Sequence, residues 1–214
     1  MKLLTEYTEF ADLEILKENT EVGHKPIYRI KGPFAQAEVK NRNGRKYSYQ
    51  TFLREVNNFQ DKIIKKRALG TLDHGNSPTV LLNEVSHLIE SLQMIGNDAI
   101  GIARILNTPR GLIAQTLIDE GIILGVSTRG VGTLSGENVN DDYKMITVDI
   151  VSDPSSPNAF VDGILENKDY FITESGIIME RAIETLQTKV DKNANSKEVS
   201  KYLVEFFKEI SKNV

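Results

Sequence analysis

A histidine and a serine in this sequence each lie in a setting that suits nucleophilic catalysis. His74 ends the segment GTLDH at positions 70–74, after a short apolar run and at the start of a turn. Ser127 lies within GVSTRGVG at positions 125–132, a glycine-rich run with β-strand character. A serine hydroxyl becomes an effective nucleophile when a neighbouring imidazole takes its proton. The two residues are therefore a candidate general base and a candidate nucleophile.

The backbone around Ser127 has a second feature that such chemistry needs. Its glycines would let a substrate come close, and the N–H groups from Thr128 to Gly130 could stabilise a negatively charged oxygen. The separation of His74 and Ser127 in sequence does not show that they meet. The alternative interpretation is that His74 is only a turn residue and Ser127 only a strand residue.

Composition limits the other classes of function. The chain of 214 residues has a formal net charge of −4 and no cysteine. This length suits one domain, or one domain with an appendage. The charge does not favour a nucleic-acid partner, and the lack of cysteine excludes disulfides, cysteine-ligated metals and a cysteine nucleophile. No apolar run approaches the roughly 18 residues of a membrane helix and no signal-peptide core is present, so a soluble intracellular protein is predicted.

The three histidines, His24, His74 and His87, narrow the search for a base. They show no metal-ligand spacing, and no Gly-Lys-Ser/Thr sequence follows the glycines around Gly130, so neither a metal nor a cofactor is predicted. His24 lies in a polar segment and is expected to be exposed.

Hydrophobic periodicity predicts two helices in the first 165 residues. Ser48 can cap the first, and Thr108 with Pro109 can begin the second, which ends at Gly121. The predicted apolar face of the first helix consists of Phe52, Val56, Phe59 and Ile63. The predicted buried side of the second consists of Leu112, Ile113, Thr116 and Leu117.

Alternating or apolar runs predict strands over residues 27–30, 34–39, 85–92, 99–106 and 143–151. Gly96 and Asn97 mark a hairpin between the third and fourth of these strands. Residues 1–25 are polar and show no strong periodicity.

Four short motifs follow one another along residues 30–161. They are AEVKNRNGRKY at 37–47, GTLDH at 70–74, GVSTRGVG at 125–132, and Val148-Asp149 followed by PSSPNA at 154–159. In this order they resemble the prohead core proteases of T-even-like tailed phages. His74 and Ser127 stand at the positions that match the family's catalytic residues.

The resemblance implies an α+β fold, a mostly antiparallel β-barrel of herpesvirus-assemblin type surrounded by helices, with a C-terminal helical tail. It implies a capsid (prohead) maturation serine endopeptidase that cleaves scaffold and shell proteins, and itself, inside the immature capsid in the host cytoplasm. His74 would be the base, Ser127 the nucleophile, and Arg129 with Gly130 the oxyanion site. The alternatives are a catalytically inactive capsid-assembly or scaffold protein with this fold and an unrelated binding domain; homo-oligomerisation stays open.

A third residue should hold the tautomer of the imidazole and offset its charge. Asp149 is the first candidate, because an unpaired carboxylate among apolar strand neighbours would be costly. The alternative is that Asp149 faces solvent. His87 is the second candidate, since herpesvirus relatives use a second histidine, although a core or edge histidine also fits its position. Asp73 adjoins His74 but is expected to cap the turn.

The chain changes character near its C-terminal end. We predict a protease domain over residues 1–165 and a helical tail over 166–214, interpreted as a removable propeptide. Two apolar stripes define the predicted tail helices: Ile178, Ala182, Ile183 and Leu186, then Val199, Leu203, Phe206 and Ile210. Apolar-x-Glu triplets, which resemble the family's cleavage sites, end at Glu166, Glu180 and Glu205, and another ends at Glu6.

Overall fold

A computed structural model describes residues 1–7, 13–18, 26–41, 43–75, 77–152, 170–172 and 178–180. The chain divides into two units, Met1–Asn167 and Lys168–Val214. In the second unit the described residues form one antiparallel pair, β11 (Tyr170–Ile172) with β12 (Ile178–Glu180). All other described residues belong to the first unit.

The first unit contains a five-stranded antiparallel sheet, which we call sheet B. Its strands lie in the order β2-β3-β6-β5-β4. Their bounds are β2 Glu14–Glu18, β3 Ile27–Gln36, β4 Leu69–Thr71, β5 Val85–Ile95 and β6 Asp98–Ile105. The predicted hairpin joins β5 to β6.

A three-stranded antiparallel sheet, sheet A, has the order β1-β7-β10. Its strands are β1 Lys2–Tyr7, β7 Leu124–Gly132 and β10 Lys144–Ser152. Every residue of β7 is buried, because the strand has a neighbour on each edge and protein on both faces. Two short strands, β8 (Leu134–Ser135) and β9 (Asn138–Val139), form a hairpin between β7 and β10.

The two sheets meet where β4 lies beside β10. Leu72 forms an isolated parallel bridge with Ile150, and the amide of Asp73 donates to the Ile150 carbonyl at 2.7 Å. The Thr147 hydroxyl donates to the Leu69 carbonyl at 2.7 Å. We call this contact the β4–β10 junction. The family resemblance implied a barrel, but the described strands form two sheets joined here and do not close into one.

Among the described residues, two α-helices accompany the sheets, and a short 3-10 helix over Leu82–Glu84 precedes β5. The first, α1 (Tyr49–Ile64), begins as predicted, with the Ser48 side chain accepting from the Thr51 amide. It packs on β5 and β10, and its Phe52, Val56 and Phe59 side chains are buried in the core. The ring of Phe52 stacks on that of Tyr47, with ring centroids 4.6 Å apart. The apolar face predicted for this helix is therefore largely its buried face.

The second helix, α2 (Pro109–Asp119), begins at the predicted cap, where Thr108 accepts from the Gly111 amide. Its predicted buried side was wrong at Leu112, Ile113 and Thr116, which are exposed, whereas the fourth predicted residue, Leu117, is half-buried and packs against the core. The helix instead buries Gly111 and Ala114, where a Cβ at Gly111 would lie 1.9 Å from the Leu106 carbonyl oxygen. The orientation of α2 therefore follows the close approach of its backbone to Leu106, and not the burial of its large apolar side chains.

Three other elements differ from the prediction. The two strands predicted at 27–30 and 34–39 are the single strand β3, because the register shifts after Pro33 and a bulge accommodates the proline. The polar N-terminal region contains β1 and β2, which periodicity missed. The apolar stripe that begins at Ile178 was assigned to a helix, but Ile178 lies in β12. The rest of the predicted tail helices lies outside the described residues.

The closest packing at the β4–β10 junction is at Gly70. A Cβ there would lie 2.2 Å from Nε2 of His87 and 2.3 Å from the Val148 carbonyl oxygen. We expect Gly70→Ala to lower the free energy of unfolding by about 1–3 kcal/mol or more, since the added methyl overpacks the junction. Urea denaturation measures this loss. Gly96→Ala is the control, because its Cβ would meet nothing within 4 Å and it adds only the cost of a positive φ. Equal losses in both variants would contradict the prediction.

Candidate active site

The structure brings Ser127 and His74 into hydrogen-bond contact. The Ser127 Oγ atom lies 2.8 Å from Nε2 of His74. Ser127 is in the middle of β7 in sheet A, whereas His74 is in the loop that follows β4 of sheet B. The sequence identified both residues but could not show that they meet.

Asp149 completes a hydrogen-bonded chain through the imidazole. It is the cross-strand partner of Ser127 in the β7–β10 pair, so both residues are held at the same level of sheet A. Its Oδ2 atom lies 2.8 Å from Nδ1 of His74. An ionised carboxylate accepts hydrogen bonds only, so Nδ1 carries a proton and Nε2 is left to accept the Ser127 hydroxyl proton.

The Asp149 carboxylate is fully buried, and both of its oxygens have polar partners. Its Oδ1 atom accepts from the Thr71 amide at 3.0 Å and from Nη2 of Arg129 at 3.1 Å. The Thr71 hydroxyl lies 2.8 Å from the same oxygen and 2.7 Å from the Asp73 carbonyl. This hydroxyl has one proton, so it donates to one of the two oxygens at a time.

Burial alone would raise the pKa of Asp149, because it penalises the charged form. The hydrogen bond to His74, the charge of Arg129 and the Thr71 amide act in the opposite direction, and the pKa lies below its ordinary value. Asp149 is therefore ionised at neutral pH and can offset a positive charge on His74.

Arg129 lies behind the carboxylate and is fully buried. Its Nε atom is 2.9 Å from Oδ2 of Asp149, an ion pair in which the N–H does not point at the oxygen. Its Nη1 donates to the Ser77 carbonyl at 2.6 Å, which ties down the loop that carries His74. The guanidinium thus contacts the carboxylate and the histidine loop together.

The backbone from Thr128 to Gly130 lies in a strand paired on both edges. Glu6, Thr5 and Leu4 are its partners on β1, and Val148, Thr147 and Met145 are its partners on β10. Ile146 is left over opposite Arg129 and Gly130, where the register of β10 shifts. These residues therefore lie beside a β-bulge in a sheet, whereas the sequence suggested an accessible glycine-rich run.

His87, the second candidate for a third residue, lies on β5 with its ring fully buried. Its two nitrogens are 2.9 Å from the Ser86 hydroxyl oxygen and 2.9 Å from the Val148 carbonyl oxygen. Both ring nitrogens of His74 are engaged by Asp149 and Ser127. The geometry consequently favours Asp149 as the partner of His74.

Two residues that hold the site were missed by the sequence analysis. Thr71 supplies two donors near Asp149, and Ser77 supplies the carbonyl for Arg129. Thr71 is within the GTLDH motif, which could have drawn attention to it, whereas nothing in the sequence marks Ser77. Glu166, Glu205 and His24 lie outside the described residues. Within the part of the chain that the structure describes, no group of three or more acidic and histidine side chains could hold a metal ion.

A serine hydroxyl, an imidazole and a buried carboxylate joined in this order are the arrangement found in serine hydrolases. The chain belongs to the prohead core protein serine protease family, whose sequence model matches residues 10–175. It is similar to the prohead core protein protease of Enterobacteria phage T4, with 36% identity over 155 residues that cover 67% of this chain and 72% of the relative.

Its fold is similar to that of the solved bacteriophage T4 capsid assembly protease. The TM-score is 0.66 and the sequence identity is 33%, with 72% of this chain and 98% of the T4 chain covered. The mostly antiparallel sheets with few helices therefore resemble the fold of a protease of this family.

The burial of Asp149 gives a pH-dependent prediction. Asp149→Asn leaves the Arg129 charge without its counterion, and we expect a loss of about 3–5 kcal/mol in unfolding free energy at pH 7. Because the pKa of Asp149 is lowered by folding, its stabilising effect is complete above the ordinary carboxyl pKa of about 3.9 and is lost as the pH falls through the lower folded value. The difference between wild type and variant should therefore shrink as the pH falls below about 4.

Urea denaturation of wild type and Asp149→Asn, at pH 7 and at pH values below about 4, measures the difference in their unfolding free energies. Asp61→Asn is the control, because Asp61 is an exposed helix residue paired with Lys65 and should change stability by about 0.5 kcal/mol or less. A pH-independent difference for Asp149→Asn would show that the carboxylate does not act through its charge.

Proposed function

We propose that this protein is a prohead maturation serine endopeptidase in which Ser127, His74 and Asp149 form the catalytic triad. The single observation that carries the proposal is the unbroken hydrogen-bonded chain between them, 2.8 Å from Ser127 to His74 and 2.8 Å from His74 to Asp149. The residues come from separate strands and a loop. These distant parts of the chain bring Ser127 and Asp149 to the two nitrogens of the His74 ring, which supports a catalytic role.

In the proposed reaction the Ser127 Oγ atom attacks the scissile carbonyl carbon while Nε2 of His74 takes the hydroxyl proton. Asp149 stabilises the imidazolium through Nδ1–H, and the tetrahedral intermediate then collapses. The C–N bond breaks, and Nε2 gives its proton to the leaving amine. Water adds to the acyl-enzyme with His74 again as base, and the carboxylic acid product and free Ser127 result.

We assign the oxyanion site to the backbone amides of Arg129 and Gly130. They follow Ser127 closely, and they lie opposite the bulge at Ile146, where the regular ladder is interrupted. Beside this bulge, the Met145 amide donates to the Glu55 carboxylate at 2.8 Å. In this proposal Arg129 has two separate tasks, an amide for the oxyanion and a guanidinium for Asp149.

The proposed substrates are the scaffold and capsid proteins of an immature phage head, and the proposed location is inside that head. The family description and the names of the two T4 relatives support both. We also propose a distant kinship of the two joined sheets to the herpesvirus-assemblin barrel. No helix in the described ranges is both long and apolar enough to cross a membrane.

Removal of the nucleophile tests the proposal. We expect Ser127→Ala to lower kcat on the scaffold protein of the encoding phage by about 10⁶-fold, the scale seen when a serine protease loses its nucleophile. Asp149→Asn should lower kcat by about 10⁴-fold, because it disturbs the tautomer of His74. Cleavage is followed by gel after co-expression of each variant with the scaffold.

Ser135→Ala is the matched control, since Ser135 is exposed in β8 and lies outside the site. It should cleave like wild type. Equal cleavage by the Ser127→Ala variant would contradict the mechanism. A wild-type protein that assembles with scaffold and never cleaves it would support the inactive assembly protein instead.

We further propose that the protein processes itself after Glu166, Glu180 or Glu205 and so releases residues 167–214 in whole or in part. Of these, Glu180 lies in the described part of the chain, at the end of β12 and paired with Tyr170. Proteases of this kind act on extended chain, so cleavage there requires the β11–β12 pair to open.

Mass spectrometry of the incubated wild-type chain should give a fragment that ends at one of these glutamates. The corresponding variant, Glu166→Gln, Glu180→Gln or Glu205→Gln, should lose that fragment alone. Ser127→Ala should keep its full mass. Wild-type and Ser127→Ala chains of unchanged mass under conditions in which scaffold is cleaved would contradict self-processing.

A further inference from the structure

The His87 ring lies at the centre of the β4–β10 junction. A Cβ at Gly70 would be 2.2 Å from Nε2 and 2.3 Å from Cε1 of this ring, so the backbone of β4 rests directly on it. On the other side, Nε2 is 2.9 Å from the carbonyl oxygen of Val148 on β10. The ring thus touches the two residues that immediately precede Thr71 and Asp149.

The contacts of His87 define its charge and its tautomer. The Val148 carbonyl can only accept, so Nε2 carries the proton, and Nδ1 accepts from the Ser86 hydroxyl at 2.9 Å. Burial lowers the pKa of His87 to about 4, although the nearby Asp149 charge and the bond to Val148 act to raise it. At neutral pH the ring is therefore the neutral form that both contacts require.

We propose that His87 is a positioning residue for the Asp149–His74 pair. Its rigid ring sets the spacing of β4 and β10, and its bond to Val148 fixes the backbone from which the Asp149 side chain extends. Thr71 and His74, which bind the two oxygens of Asp149, both follow Gly70 on the other side of the ring. The His87 imidazole therefore aligns Thr71 and His74, on the β4 side of the site, with Asp149 on β10. The inference rests on the proposed function of the triad.

This role differs from catalysis, because His87 uses both ring nitrogens on Ser86 and Val148. It also differs from simple core filling, because a residue of equal volume without an N–H would leave the Val148 carbonyl buried without this donor. A buried carbonyl that loses its donor is left with an uncompensated desolvation cost, which favours a local backbone shift that recovers a hydrogen bond. Asp149 directly follows Val148 in the sequence, so a shift of the Val148 carbonyl would displace the Asp149 side chain.

The test compares His87→Leu, which removes the donor, with His87→Gln, which places an amide N–H at a similar reach. Two measurements are made on each protein. One is the NMR resonance of the His74 Nδ1 proton in the bond to Asp149, which reports geometry without any substrate. The other is kcat and KM on the scaffold protein.

In His87→Leu we expect the His74 resonance to move or to broaden, and kcat to fall about 10- to 100-fold with KM changed about twofold or less, because a small misplacement of catalytic groups acts on the chemical step. His87→Gln should restore both readouts most of the way. Leu92→Ala is the control for lost stability, since Leu92 is buried on the same strand within the main core. It should unfold more easily and keep both readouts.

An unchanged His74 resonance and an unchanged kcat in His87→Leu overturn the inference, and so does an equal loss in Leu92→Ala. If His87→Leu does not fold, failure of His87→Gln to preserve the resonance overturns it. Full cleavage by the Ser127→Ala variant would contradict the proposed function without touching this inference. The NMR comparison would then still show whether His87 aligns Asp149 with His74.

Discussion

The site depends on one buried carboxylate at the β4–β10 junction. Asp149 belongs to sheet A, but two of its donors, the Thr71 amide and the His74 ring, come from the β4 end of sheet B. A carboxylate in a protein interior is tolerated only when it is paired and hydrogen-bonded. Separation of the sheets would leave Asp149 without these donors. The assembly of the site consequently requires the two sheets to be docked.

The buried charge of Asp149 must also be balanced by an opposite charge. Arg129 and Asp149 are both fully buried and form an ion pair at 2.9 Å. Such a pair contributes little net stability, because desolvation offsets the attraction, but the loss of either partner is costly. The main effect of the Arg129–Asp149 ion pair is to fix the positions of the groups around Asp149. It keeps Asp149 ionised and, through the Ser77 carbonyl, holds the histidine loop against the strand that carries Ser127.

Helix α1 supports β10, the strand that carries Asp149, at the beginning of that strand. The Glu55 carboxylate accepts from the Met145 amide at 2.8 Å, and Nζ of Lys62 donates to the Ile146 carbonyl at 2.8 Å. These two contacts satisfy backbone groups at the β-bulge. A bulge leaves some ladder groups unpaired, and buried backbone groups need partners. The helix therefore stabilises the irregular start of β10, while His87 and Thr71 contact its regular part.

Much of the local structure could be predicted from sequence. Ser48 and Thr108 begin helices because their side chains accept backbone N–H groups of the next turn, and such caps are local. The hairpin at Gly96 is local for a similar reason. The strands β1 and β2 were missed because their pattern is weak, and β1 exists through its pairing with β7. The exposed side of α2 was misjudged because its orientation depends on close contact between Gly111 and Leu106.

For the site, the amino-acid sequence by itself determined the residue types and their order: a histidine after a short strand, a serine among glycines and an aspartate on an apolar strand. Only the tertiary structure decided which of them meet. Ser127 and Asp149 are neighbours because of strand register, and His74 joins them because two sheets dock along β4 and β10. Thr71, Ser77 and the ring of His87 gained their places in the same way. Contacts between residues distant in sequence depend on the packing of whole elements, which no local pattern encodes.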